Sequence, residues 1–126
     1  MQISKLKEPI NEIAICIDSD TNDALCDKLL KIVADKYSRQ ILESVKAQPK
    51  SANMILSEVH IPLSTIYRRL QNLLDASLLH ISGEISEDGK KFFLYQSKVR
   101  EIHATFNVKS VEIKLVMMSS DNESKM

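Results

Sequence analysis

At 126 residues, with 44% hydrophobic and 27% charged side chains, the chain is long enough to bury one core without staples and too apolar for wholesale disorder. The formal net charge of zero excludes a uniformly basic or acidic protein, yet the charge is unevenly spread. Residues 1–35 hold four lysines against seven acids, residues 36–100 hold ten basic side chains against six acids, and residues 101–126 hold three lysines against four acids. A basic middle between acidic flanks is compatible with nucleic-acid contact without demanding it.

The first nine residues, Met1 to Pro9, read as a mobile lead-in. Lys5, Lys7, Glu8 and Pro9 interrupt any signal-peptide pattern, and no apolar run approaches a membrane span. The expectation is a cytoplasmic protein whose two cysteines, Cys16 and Cys26, are reduced thiols. Between Ile10 and Ile17, the alternation of Ile13, Ile15 and Ile17 fits a strand. Ile10, Ile13, Ala14 and Ile17 also fit a helical stripe, and the β-branched content favours the strand. Asp18-Ser19-Asp20-Thr21-Asn22 opens like a calcium loop, but Asp23 stands at its sixth position and Leu29 at its twelfth, where Gly and Glu are needed. A helix start capped by Thr21 or Asn22 is the better reading.

Helix-period stripes then follow in close succession. Leu25, Leu29, Ile32 and Val33 predict a helix over 23–34, and Ile41, Leu42 and Val45 another over about 38–47, broken by Gln48-Pro49-Lys50. Ser51 caps a short third helix over 52–59 that buries Ile55, Leu56 and Val59. His60-Ile61-Pro62 is a tight turn whose Ile61 enters the core. The next helix puts Ile66, Leu70, Leu73 and Leu74 on one stripe and Ser64, Thr65, Tyr67, Arg68 and Gln71 on the other face, with Arg69 on its shoulder. No acid interrupts that polar face before Asp75. Hydroxyls, a phenol and guanidinium groups suit a phosphate backbone and the acceptor-rich edge of guanine. The same pattern also fits a solvated surface.

After Ala76-Ser77 the pattern changes to strands. Leu78 to Ile85, a turn at Glu87-Asp88-Gly89-Lys90, and Lys91 to Gln96 predict a hairpin, Asp-Gly being its strongest signal. Phe92 and Phe93 are neighbours on a strand, so they point to opposite faces. The expectation is one in the core and the other against the N-terminal strand or a partner chain. A second pair spans about 99–106 and 111–118, with Ile102, Phe106, Val111, Ile113 and Leu115 on one alternating face. That face needs a cover, which is either a partner chain or Ile13, Ile15 and Ile17 of the same chain. Residues 119–126 are polar and expected to be disordered.

Several stretches resemble a known family. Ser64-Thr65-Ile66-Tyr67-Arg68-Arg69-Leu70 resembles the recognition helix of many prokaryotic regulators, and Asp75-Ala76-Ser77-Leu78-Leu79 resembles the end of that helix entering a wing. Asp35-Lys36-Tyr37-Ser38-Arg39-Gln40-Ile41-Leu42 is similar to the start of the second helix in ArsR-type repressors. The resemblance covers about 22–97 and implies a winged helix-turn-helix domain there; with the residue pattern on either side, the expected fold is α+β, that domain being flanked by an extension at 1–21, an extra C-terminal β-hairpin at 98–118 and the tail at 119–126. It further implies a transcriptional regulator that binds double-stranded DNA as a homodimer, with the recognition helix in the major groove and the wing on the backbone. The residues carried over to DNA contact are Leu63, Ser64, Thr65, Tyr67, Arg68, Arg69, Gln71, Lys90 and Lys91. Tyr67 equally fits an aromatic that closes the turn, and Lys90 and Lys91 fit solvated hairpin residues.

Two departures stand out. Pro62 takes the place where the family often has a capping Ser or Thr, and no Cys-x-Cys pair or His/Asp cluster lies on the third helix. The metal-sensing branch is therefore not implied, and Cys16, Cys26, His60, His80 and His103 lack metal-ligand spacing. No cofactor is expected. The sequence has no nucleophile–base–acid series, no Gly-rich phosphate loop and no paired carboxylates, so the reading is not an enzyme. Two other functions compete with the regulator: a winged-helix module that docks on protein, and a DNA-binding sensor of a small ligand or metal.

Overall fold

Two joints set the architecture, one between the first two helices and one where the chain passes between two sheets. The computed structural model describes residues 11–17 and 23–118; the lead-in, the calcium-like loop with its Thr21 or Asn22 cap, and the polar tail lie outside them. The described chain is α+β. In order it forms β1 (Asn11–Ile17), α1 (Asp23–Ala34), α2 (Lys36–Ser44), α3 (Ala52–Val59), α4 (Leu63–Asp75), β2 (Leu79–Ile85), β3 (Lys91–Ser97), β4 (Val99–Phe106) and β5 (Val111–Met117). β2 and β3 form a two-stranded antiparallel sheet, and the other three strands form a second sheet in the order β1-β5-β4.

Asp35 alone separates α1 from α2. Its N–H donates to the Ile32 carbonyl at 3.1 Å and its carboxylate caps α2, accepting from the Ser38 N–H at 2.8 Å and the Ser38 hydroxyl at 2.7 Å. Arg39 reaches back to the Val33 carbonyl at 2.6 Å, giving an end-of-helix carbonyl a cationic donor. α2 therefore begins two residues before the expected start. It also ends earlier, at Ser44: the Lys46 N–H bonds the Glu43 carbonyl, three residues back, at 3.3 Å, and the Val45 carbonyl accepts from the Ser97 N–H at 3.0 Å.

Ser51 caps α3 as expected, accepting from the Met54 N–H at 3.2 Å. α3 ends at Val59; its C-cap His60, at a left-handed φ of 53°, turns the chain sharply, and Ile61 then drops into the core at 2% exposure. α4 ends in a Schellman motif. Leu78 N–H bonds the Leu73 carbonyl at 3.0 Å, Ser77 N–H bonds the Leu74 carbonyl at 2.9 Å, and Ser77 sits at φ 62°. Leu73 and Leu78, the apolar pair that accompanies such a motif, are both fully buried. Gly89, at φ 88°, closes the β2–β3 turn, donating to the Ser86 carbonyl at 2.9 Å.

Lys98 is the second joint. Its N–H donates to the Leu78 carbonyl and its carbonyl accepts from the Met118 N–H, both at 2.8 Å, so one residue passes the chain from the β2–β3 sheet to the β4–β5 pair. β1 does not lie over the apolar face of that pair. It hydrogen-bonds alongside β5, in a register that sets Ile13, Ile15 and Ile17 opposite Leu115, Ile113 and Val111. The cover comes from the helices instead: Ile113 and Leu115 belong to the same buried cluster as Leu29, Ile32, Ile41, Ile66 and Leu73. Phe106, at the far end of β4, stays 77% exposed.

One continuous core across helices and the second sheet has a measurable consequence. Ile113→Ala should destabilise the whole chain by roughly 2–5 kcal/mol, the range for truncating a fully buried aliphatic side chain. Urea unfolding followed by helical circular dichroism should show a single transition shifted to lower denaturant. A helical signal that ignores the substitution would mean that the C-terminal sheet is a separate unit.

Candidate nucleic-acid interface

The outward face of α4 is built by the packing of its inner stripe. Ile66, Leu70 and Leu73 are buried, which leaves Ser64, Tyr67, Arg68 and Gln71 exposed and Thr65 half-buried. Leu63 turns the other way, half-buried against the core. Tyr67 is 51% exposed, so it stands out from the turn rather than closing it. Arg68 is exposed, with no hydrogen-bond or ion-pair partner among the described residues. Gln71 donates to the Asp75 carboxylate at 2.9 Å, one helical turn on.

At the N-terminus of α4 the expected irregularity is present. Pro62 is the N-cap and supplies no side-chain hydrogen bond; only its carbonyl serves, accepting from Thr65 N–H at 2.9 Å and Ile66 N–H at 3.0 Å. A helix start without a side-chain cap presents N–H groups and the positive end of the helix dipole to its surroundings.

Arg69 departs from the expectation. It folds back to the α1–α2 joint, where its Nε lies 2.8 Å and a terminal nitrogen 3.2 Å from the two Asp35 carboxylate oxygens. The guanidinium also stands over the Tyr37 ring, 5.7 Å from its centroid. Being only a shoulder residue, Arg69 is close enough to the buried stripe to be captured by a carboxylate 34 positions away. It therefore anchors α4 from behind instead of joining the open face. Burial pushes the Asp35 carboxyl up, but hydrogen bonds from Arg69 and from the side chain and backbone of Ser38, with the attraction of the guanidinium, outweigh it and hold the pKa at about 2.

The hairpin places Lys90 and Lys91 in the open, as expected, with Lys91 Nζ 5.6 Å from the centroid of the Phe93 ring. They share the tip with Glu84, Glu87 and Asp88, so the tip is not a basic patch. Asp88 accepts from the Ser86 hydroxyl, and that bond with the Lys90 backbone lowers its pKa. Neither phenylalanine is in the core: Phe92 is 37% and Phe93 45% exposed. Both line a cleft of about 370 Å³ between β3, Tyr67 and the start of α3, where Asn53 and Tyr95 also lie. Burial, and then the neighbouring Tyr67, raise the pKa of Tyr95. This cleft escaped the sequence reading, although four of the six aromatic residues in the chain line it.

Among the described residues no group of three or more His, Cys, Asp or Glu side chains could hold a metal ion, and no helix is long and apolar enough to cross a membrane. Neither any protein-family model nor any curated protein matches the chain.

The Asp35 pair predicts an acid dependence. A carboxyl depressed to about 2 from an ordinary value of 3.8 contributes stability that is full above the unfolded value and lost as pH falls through the folded one. The shift corresponds to about 2 kcal/mol. Unfolding free energy should therefore lose this contribution between about pH 4 and pH 2, and Asp35→Asn should be less stable at pH 7 and flatter through that window. Parallel acid profiles for the two proteins would show that the pair contributes nothing.

Proposed function

We propose that the protein binds double-stranded DNA as a winged helix-turn-helix transcriptional regulator, with α4 entering the major groove. The observation that carries this reading is the exposed outer face of α4, which bears no acid before Asp75 and whose Arg68 is unpartnered among the described residues, beside a helix start that no side chain caps. The three-residue turn between α3 and α4 supports a helix-turn-helix, since such pairs are joined by three or four residues. The hairpin supports a wing: it follows α4 after three residues, and Lys50 and Tyr95 exchange backbone hydrogen bonds of 3.0 and 2.8 Å that tie it to the segment before α3.

In this arrangement each group has a role. The backbone N–H groups at the start of α4 and the hydroxyls of Ser64 and Thr65 meet phosphate oxygens and fix register. Arg68 donates two N–H groups from one edge of its guanidinium to guanine N7 and O6, and Tyr67 packs on the backbone or a thymine methyl. Arg69 serves by orienting α4. Lys90 and Lys91 meet the adjacent backbone. One helix reads only a few base pairs, so a homodimer with two such helices a helical turn apart completes the proposal.

The competing reading, a module that docks on protein, draws on the mixed charge of the hairpin tip and on exposed Ile81 and Ile85. A salt series separates the two. Affinity for random duplex DNA should fall steeply with salt, and replacing Lys90 and Lys91 by Ala should flatten the log–log slope by about one unit per lost phosphate contact. Arg68→Ala should cost roughly 1–3 kcal/mol on a preferred site with thermal stability unchanged. Absence of duplex binding at low salt would favour the protein-docking module.

A further inference from the structure

Resting on the nucleic-acid reading, we infer that the cleft between the hairpin, Tyr67 and the start of α3 is a second subsite, which takes an unstacked nucleobase at a duplex end or in a single-stranded segment. Phe92 and Phe93 are adjacent on β3, and the expectation was that at least one would be buried. Both are exposed, and with Tyr67 and Tyr95 they line a single cleft of about 370 Å³. Space of that size suits one small-molecule unit and is far too small for a duplex. The Phe93 ring is steadied from the hairpin side, with the Lys91 ammonium 5.6 Å from its centroid and Gly83 beneath its edge, where a Cβ would come within 3.7 Å of the ring.

The chemistry of the lining selects the occupant. Exposed aromatic rings offer π-faces to a flat partner. The exposed Asn53 side chain, with no hydrogen-bond partner among the described residues, offers one acceptor and two donors to a hydrogen-bonding edge. Lys91, on the lining itself, offers a cation to an anionic linkage. A flat ring, a hydrogen-bonding edge and a negative charge occur together in a nucleotide. Within a duplex both faces of each base are already covered by neighbours, so aromatic side chains reach a face only where a base is unpaired or terminal. The face of α4 and this cleft then read two different features of one nucleic acid: the groove of a duplex and its frayed or single-stranded continuation.

The test compares a short blunt duplex with the same duplex carrying a single-stranded overhang at either end, using the full-length protein and fluorescence anisotropy. The overhang should be bound about tenfold tighter, equivalent to about 1.4 kcal/mol, which lies within the range for stacking one base on an aromatic side chain. Phe93→Leu should abolish that preference and leave affinity for the blunt duplex unchanged, while Phe93→Tyr, which keeps the ring, should retain it. Equal binding of the two duplexes by the wild type, or a preference that survives in Phe93→Leu, overturns the inference and leaves groove binding by α4 standing. Binding of the overhang with none of the blunt duplex overturns groove binding and supports the cleft. Binding of neither overturns both.

Discussion

The carboxylate of Asp35 is the point on which the arrangement of the helices depends. It caps α2 through Ser38 and receives two hydrogen bonds from Arg69 of α4, so one side chain fixes the start of one helix and the rotation of another. Arg69 and Asp35 are each about a quarter exposed or less, which shields the pair from the screening that makes surface ion pairs nearly worthless. A planar guanidinium on a carboxylate has one good geometry, and Tyr37 beneath it restricts that geometry further. The rotation of α4 about its axis is thereby set from both sides, by Ile66, Leu70 and Leu73 in the core and by Arg69 at the edge. With the rotation fixed, Ser64, Tyr67 and Arg68 share one outward face.

The second constraint is the continuity of the core. Lys98 hands the chain from the hairpin to the β4–β5 pair without a loop, and the apolar face of β5 closes over the same cluster that α1 and α4 fill. The C-terminal strands are thus a third side of the helical core and not an appendage. β1 lengthens this sheet at the β5 edge, so the first and last described elements lie side by side. The hairpin has the opposite character. Its base is buried at Leu79, Tyr95 and Ser97, whereas from Ile81 and Phe93 outward every residue on that face is exposed.

Much of this was legible in the residues, and what was missed has a common cause. The four helical stripes, the Ser51 cap, the buried Ile61 and the Asp-Gly hairpin turn are local signals, carried by spacing or by one backbone preference, and the structure agrees with them. The strand at 11–17 was legible as a strand, but its place beside β5 was not, because alternation does not name a neighbour. Arg69 was misplaced since its partner lies 34 residues away, beyond any periodic signal. Phe92 and Phe93 were misplaced because alternation assigns each residue to one of two faces, whereas burial depends on how far the helices extend beneath the hairpin. On β3 burial stops at Tyr95, and the two rings lie outward of it, with only Tyr67 and the start of α3 across the cleft. On α4 the open positions Ser64, Tyr67, Arg68 and Gln71 were readable, because four fixed apolar positions determine the opposite face of a helix.

The central claim is that the outward face of α4 meets duplex DNA, and residue-by-residue mapping addresses it most directly. Titrating isotope-labelled protein with a short duplex and following amide resonances by NMR should perturb the start and outer face of α4, from Leu63 to Gln71, together with Lys90 and Lys91 at the hairpin tip. Amides of β4 and β5 should stay unmoved. Perturbations confined to the β4–β5 pair, or none at protein and DNA concentrations in the hundreds-of-micromolar range typical of weak non-specific contact, would contradict the account.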